Sequence, residues 1–339
     1  MKPQTSLTAT PLGLRDLLPA EVRKRRQLEA SIRGAFEKRG FGEVICPTFE
    51  FYDLLSVEAS TAVKQDMVRF IGSDGRILAL RPEMTTAIAR LAVKKLDLDQ
   101  GPYPFYYIAN VFREEFSREG LVREIRQAGV ELIGRGGVEE DIDIIALFIE
   151  TLKATGLSDI QVGLGQIGFL EAVLRALPVS EAERSELRAA MAARSLVKYE
   201  KALSRIDLKN GLTEKLLKLP TARGDKEALE NAEALVVNST VETELKRLID
   251  VYSGLCERGL DGCVSIDFGI WHDFNYYTGL VFEAYAPGIG RPLGGGGRYD
   301  NLLAELGKPA PAAGFAIDLK DLQALTAKSD RNENGGSNE

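Results

Sequence analysis

The chain has 339 residues, of which 45% are apolar and 27% charged. These are ordinary globular proportions, and they exclude global disorder and collagen-like repeats. The length fits about two domains at ~150 residues each. The net charge of -7, from 43 basic and 50 acidic side chains, argues against a strong nucleic-acid or anionic-membrane footprint.

Residues 1–10 are polar and read as a flexible N-terminus, followed by a turn-rich lead-in from Pro11 to Pro19. From Ala20 to Arg39 the spacing of Val22, Leu28, Ile32 and Phe36 predicts a helix with one apolar face, and Gly40 ends it. The basic run Arg23 to Arg26 lies on this helix, interleaved with Glu21, Glu29 and Glu37, and reads as a solvated face. Glu43 to Glu50 reads as one strand carrying Pro47, which belongs at an edge or a subunit boundary. Ile77 to Pro82 is a short strand and Thr85 to Leu96 an alanine-rich helix. Pro104 to Phe112 and Ile125 to Ile133 are β-rich runs around a charged loop, Arg113 to Glu124, which predicts a long antiparallel hairpin.

Helix is expected over Glu139 to Thr155 and strand over Ile160 to Gly165. Residues 168–254 turn to Ala, Leu, Glu, Lys and Arg, which predicts a helical insertion. Strands resume at Val264 to Gly269 and Thr278 to Ala286. The glycines 294–297 lack a phosphate-loop frame and read as a flexible, close-approach link. Ala312 to Leu319 is a last apolar element, and residues 326–339 read as a disordered tail. Strand runs mixed with segregated helices give an α+β class. Cys46, Cys256 and Cys263 have no metal-ligand spacing and read as reduced thiols. With no secretory leader and no apolar run of ~18 residues, a cytoplasmic location is expected.

Several polar residues interrupt apolar segments. Glu83 follows a strand, Arg113 sits where a hairpin strand meets its loop, and Gln127 and Glu131 share one face of a strand. Each taken alone suits an internal salt bridge. Together, two carboxylates, an amide and a guanidinium suit a zwitterionic ligand. His272, the lone histidine, has no nucleophile elbow beside it and reads as an ordinary packed or surface residue. Trp271 reads as a core or interface anchor.

Five ordered motifs then carry a resemblance. Leu80-Arg81-Pro82-Glu83-Met84-Thr85, Phe112 to Glu115 with Gln127 and Glu131, Tyr276 to Glu283, Gly296 to Asp300 and Gly314 to Ile317 together resemble the catalytic core of histidyl-tRNA synthetase over residues 11–325. The resemblance implies a class II aminoacyl-tRNA synthetase-like antiparallel sheet flanked by helices. The helix at 20–39 and the Pro47 strand would form its dimer-building first motif. Carried over, Glu83 and Thr85 would hold the α-amino group of histidine with Gln127 nearby. Glu131 and Tyr276 would contact the imidazole, Tyr277 would line the pocket, and Arg113 would fall where the synthetases place an arginine on the activated carboxyl and α-phosphate. For this chain itself no catalytic residue, cofactor or metal is expected.

The chain also departs from the synthetases. Their arginine before the paired tyrosines is replaced within His272-Asp273-Phe274-Asn275. Their last motif's ATP-binding arginine is replaced within Asp318-Leu319-Lys320-Asp321, and Phe116 and Leu121 stand in a hairpin that is commonly basic. Each lost cation should cost roughly 3 kcal/mol of transition-state stabilisation in adenylate formation. Synthetases also continue into an anticodon-binding domain, where this chain ends in a polar tail. The pattern resembles the regulatory subunit of short-form ATP phosphoribosyltransferase, a synthetase paralogue. That resemblance implies a non-catalytic partner of the short catalytic subunit in a hetero-octamer containing homodimers. Such a protein serves the first step of histidine biosynthesis, senses histidine for feedback inhibition, and has no tRNA or membrane role. Two states for that sensing are expected near the glycine run or residues 271–279. The alternative is a truncated synthetase-like enzyme that activates histidine with ATP. A third reading is a module for another amino acid or partner.

Overall fold

A computed structural model describes residues 7–117, 120–206, 208, 211–271 and 276–334. His272 to Asn275, the outer parts of both expected loose ends (1–6 and 335–339), and the Phe116 side chain therefore lie outside the described residues.

The chain opens with helix α1 (Pro19–Lys38), which has proline at its start and buries Leu28, Ile32 and Phe36. Gly40, at φ +81°, turns the chain where a side chain would be strained. The expected strand over Glu43 to Glu50 is instead two short strands in different sheets, β1 (Gly42–Glu43) and β2 (Phe49–Phe51). They are separated at Cys46 and Pro47, whose carbonyls both accept from the Arg81 guanidinium at 2.7 and 2.9 Å. A third Arg81 bond, 2.9 Å to Asn110 O, fixes this crossover to the sheet. Next come α2 (Tyr52–Leu55), α3 (Thr61–Asp66), β3 (Arg69–Ile71) and β4 (Ile77–Leu80). Strands β2, β4 and β3 form a small antiparallel sheet. Helix α4 (Thr85–Lys95) follows directly.

The hairpin β5 (Tyr103–Ser117) and β6 (Gly120–Ile133) is longer than expected, because the charged segment continues the ladder. Arg123 and Glu114 pair across it at 2.6 Å. One extra residue enters β5 between Phe112 and Glu115, a bulge that re-aims Arg113. Helix α5 (Val138–Ala154) and strand β7 (Gln161–Gln166) precede the helical segment: α6 (Ile167–Ala176), α7 (Glu181–Ala192), α8 (Leu196–Leu203), α9 (Leu212–Lys218), β8 (Arg223–Gly224), α10 (Lys226–Glu233) and α11 (Ser239–Glu257). The chain returns through β9 (Val264–Asp267), β10 (Leu280–Tyr285), β11 (Gly294–Arg298), α12 (Leu302–Glu305), β12 (Ala312–Asp318) and α13 (Leu319–Asn334).

The main sheet has the order β1-β5-β6-β12-β11-β10-β7-β9-β8. It is mostly antiparallel, but β1 with β5 and β7 with β9 run parallel. Each parallel pair is separated in sequence by long crossovers, as parallel pairing requires. The glycine run is an inner strand, not a flexible link. A Cβ at Gly296 would lie 2.0 Å from Gly314 O, and one at Gly297 would lie 2.5 Å from Leu280 O. The close-approach reading holds and the flexible one does not. Helix α13 runs through Asn334 into the stretch expected to lack structure, anchored by buried Leu319, Leu322 and Leu325. Helices α1 and α5 cover one face of the sheet, where Phe36, Phe148 and Phe315 cluster. Helices α4 and α12 cover part of the other face, beside Tyr107 and Tyr299.

Candidate functional site

On this second face a cavity of about 480 Å³ opens over β6, β12, β11 and β10. It brings together all seven predicted residues: Glu83, Thr85, Arg113, Gln127, Glu131, Tyr276 and Tyr277. The period of a strand places Gln127, Gly129 and Glu131 of β6 on the same side. Gly129 leaves room for a ring, since a Cβ there would lie 2.5 Å from the Tyr107 hydroxyl. Gly314 pairs directly with Glu131 across the ladder, and a Cβ at Gly314 would lie 2.0 Å from Glu131 Oε2. That glycine is therefore what admits the carboxylate.

Glu131 is 1% exposed. It accepts from the Thr85 hydroxyl at 2.6 Å and from the Tyr299 hydroxyl. Burial pushes its carboxyl up to about 8, against the easing of those two hydroxyls and with a push from the Glu83 charge. Glu83 accepts from the Thr86 backbone N–H at 3.0 and 3.2 Å, which caps the positive end of α4. Burial raises its carboxyl too. Burial also raises the phenols of Tyr107, Tyr276, Tyr277 and Tyr299, so they remain O–H groups. Tyr276 packs between Tyr277 and Tyr299, with centroids at 4.8 and 5.6 Å. Gln127 Oε1 is buried with no hydrogen-bond partner among the described residues. Arg113 donates to Pro82 O at 3.0 Å.

The rest of the cavity holds residues for which the sequence offered no role. Glu283, 2% exposed, accepts from Tyr285 at 2.6 Å and from Arg194. Arg194 reaches in from the turn between α7 and α8 at φ +48°, a costly conformation for a non-glycine residue, and also donates to Trp271 O at 3.0 Å. Asp321, from the stretch that replaces the synthetases' ATP-binding arginine, is paired in a two-pronged bond with Arg291, both contacts 2.8 Å. Altogether the lining carries seven carboxyl groups (Asp66, Glu83, Glu114, Glu131, Glu283, Asp318, Asp321), of which Glu131 holds its proton at neutral pH, against three guanidiniums, Arg113, Arg194 and Arg291. Such a cavity favours a cation or an N–H donor over a polyanion. Among the described residues there is no cluster of three or more metal-ligating side chains, and no helix is long and apolar enough to cross a membrane.

The sequence could have pointed to Gly129 through its alternation with Gln127 and Glu131, and Tyr107 lies opposite Gly129 on β5. Nothing local in it points to the long-range partners Arg194 and Arg291.

The sheet, the helices on its two faces and the pocket over β6 and β12 define a class II aminoacyl-tRNA synthetase-like protein. The chain belongs to the histidyl-tRNA synthetase family, which matches residues 13–322, and it is a relative of the ATP phosphoribosyltransferase regulatory subunits within that family. It is 43% identical over 312 residues to an ATP phosphoribosyltransferase regulatory subunit of Moorella thermoacetica, covering 92% of this chain and 80% of that one. It is 41% identical over 316 residues to a histidine–tRNA ligase of Thermococcus kodakarensis, covering 91% and 72%. A Bacillus halodurans crystal structure, named as an ATP phosphoribosyltransferase regulatory subunit/histidyl-tRNA synthetase, superposes with a TM-score of 0.86 at 31% identity, covering 94% and 83%.

Proposed function

We propose that this chain is a non-catalytic regulatory subunit of ATP phosphoribosyltransferase. It would join a short catalytic subunit in a hetero-octamer in the cytoplasm and report histidine to it as a feedback inhibitor. The observation that carries this reading is the charge of the cavity. Seven carboxyl groups, of which Glu131 holds its proton at neutral pH, surround three guanidiniums, and two of these, Arg194 and Arg291, are bound to carboxylates of the same cavity. Adenylate chemistry gathers negative charge on phosphates and is accelerated by cations aimed at them. This lining supports the opposite preference.

In this reading the histidine ammonium meets Glu83, Thr85 and the unpartnered Gln127 Oε1. The imidazole meets Glu131 and Tyr276 beside Tyr277, and the carboxylate meets Arg113. Glu131, with its carboxyl near 8, can pass its proton to an imidazole of ordinary pKa ~6.5 when the resulting ion pair repays its burial. Histidine then shifts the assembly only by its differential affinity for two states, typically 1–3 kcal/mol of coupling. In this reading the two states belong to a segment near the glycine run, the run itself being an inner strand.

Three assays decide the matter. Calorimetry on the purified chain should show histidine binding that no other amino acid matches. Histidine-dependent ATP–pyrophosphate exchange should be absent. Mixing with a short catalytic subunit should produce ATP phosphoribosyltransferase activity that histidine inhibits. Robust exchange by the chain alone would overturn the regulatory reading in favour of a truncated histidine-activating enzyme.

A further inference from the structure

A second cavity, of about 710 Å³, shares Trp271 and Tyr277 with the first. It is built mainly from the helical segment: Gly168, Glu171 and Arg175 of α6, Arg188 of α7, and Glu244 of α11 line it. Gly168 and Arg175 recur at helical spacing, so one face of α6 is turned to the cavity. A Cβ at Gly168 would lie 2.4 Å from Glu244 Oε2 and 3.3 Å from Thr278 O. A carboxylate and a carbonyl oxygen therefore converge on the bare face of one glycine.

The Glu244 side chain has no hydrogen-bond or ion-pair partner among the described residues, and half-burial raises its carboxyl, with only Arg247 easing it. Next to it, Gln166 is fully buried, with its Nε2 3.5 Å from Glu244 O and its Oε1 without a partner among the described residues. Gln166 is not among the residues that line the cavity, so the acceptors facing it beside Gly168 are the Glu244 carboxylate and Thr278 O. The other charges are different in kind. Arg188 and Glu171 satisfy each other in a two-pronged bond at 2.6 and 2.7 Å, while Arg175 is exposed and has no partner among the described residues. Surplus acceptors around Gly168 call for a group rich in N–H donors.

We propose that this cavity binds the ammonium group of a small amine or amino acid, held by the Glu244 carboxylate that packs on Gly168, as a second ligand site distinct from the one over Glu131. An amino acid would place its carboxylate toward Arg175, and a simple amine would not use Arg175. The site does not depend on what occupies the first cavity.

The test uses the full chain and its single tryptophan, Trp271, which lines both cavities. Ligand-observed NMR and Trp271 fluorescence are recorded with each of the twenty amino acids, putrescine and ethylamine, on wild-type protein and on the Glu131→Gln, Glu244→Gln and Gly168→Ala variants. At least one ammonium compound should bind wild type and Glu131→Gln equally and lose at least tenfold in affinity in Glu244→Gln and in Gly168→Ala. Its N-acetylated form should not bind. Arg175→Ala then separates the two sources, weakening an amino acid and leaving an amine unaffected. The proposal is overturned if no compound binds Glu131→Gln, or if binding survives both Glu244→Gln and Gly168→Ala unchanged. Failure of the histidine reading has a different signature, the absence of any binding that depends on Glu131.

Discussion

Replacing Glu131 by glutamine tests the physical core of the site. The neutral amide has the shape of the carboxyl, and its two partners, Thr85 and Tyr299, are hydroxyls that either donate or accept. The variant should therefore fold, at a local cost of about 1 kcal/mol. Its effect on the pH dependence of stability should be much larger. The Glu131 carboxyl moves from 4.5 in the unfolded chain to about 8 in the fold. At about 1.36 kcal/mol per tenfold change in proton affinity, that corresponds to about 5 kcal/mol. Below the lower value both states hold the proton and Glu131 is neutral everywhere. Between the two values the unfolded chain has released its proton while the fold retains it, so stability falls as pH rises. Above the higher value the fold carries the full penalty of a buried anion. Urea unfolding of both proteins should then show the variant gaining about 4 kcal/mol on wild type between about pH 5 and pH 9. Histidine affinity, measured in parallel, should fall roughly 10- to 150-fold, the worth of a charged hydrogen bond. A wild-type-to-variant difference that stays constant across that pH range would refute the reasoning.

Three further substitutions probe the frame around it. Gly314→Ala drives a methyl into the Glu131 carboxylate and Val130 O; thermal melts should show a loss of about 2–3 kcal/mol, with histidine binding reduced at least tenfold. Glu83→Ala removes the cap on α4 at a cost of about 1 kcal/mol, so circular dichroism should report an intact fold while calorimetry reports histidine binding lost; unchanged affinity would show that the ammonium lies elsewhere. Asp141→Asn strips the charge from a carboxylate held by Arg298 at 2.6 Å and Arg247 at 3.1 Å. Because Arg298 is 1% exposed, denaturant unfolding should register about 3–5 kcal/mol, and a loss under 1 kcal/mol would mean Asp300 alone suffices for it.

Much of this architecture is local in origin and was legible in the residues. The apolar stripe of α1, the hairpin runs and the shared face of Gln127 and Glu131 follow from side-chain period, which any strand or helix must obey. What escaped has physical reasons. The split of β1 from β2 depends on Arg81, some 35 residues away, collecting the carbonyls of Cys46 and Pro47. The glycine run lacks side chains to show a period, so only its neighbours' proximity reveals a strand. The charged end of the hairpin hid its β character because Arg123 meets Glu114 only once the strands are paired. Within the site, residue types announced the carboxylates, but Arg194 and Arg291 enter from distant segments whose positions no local pattern encodes.

Those two arginines also explain why the pocket's preference is hard to reverse. For a phosphate chain to draw on Arg194 or Arg291, each would have to release a nearly buried carboxylate, Glu283 or Asp321. Stranding such a group costs about 3–5 kcal/mol, comparable to the roughly 3 kcal/mol that one well-aimed cation returns in the transition state. The exchange gives no net gain. An incoming ammonium or imidazole N–H breaks no such pair and meets carboxylates that burial has left short of positive charge. The electrostatics of the cavity therefore discriminate by what each ligand would have to undo, and the ligand that undoes least is a small cationic or donor-bearing one.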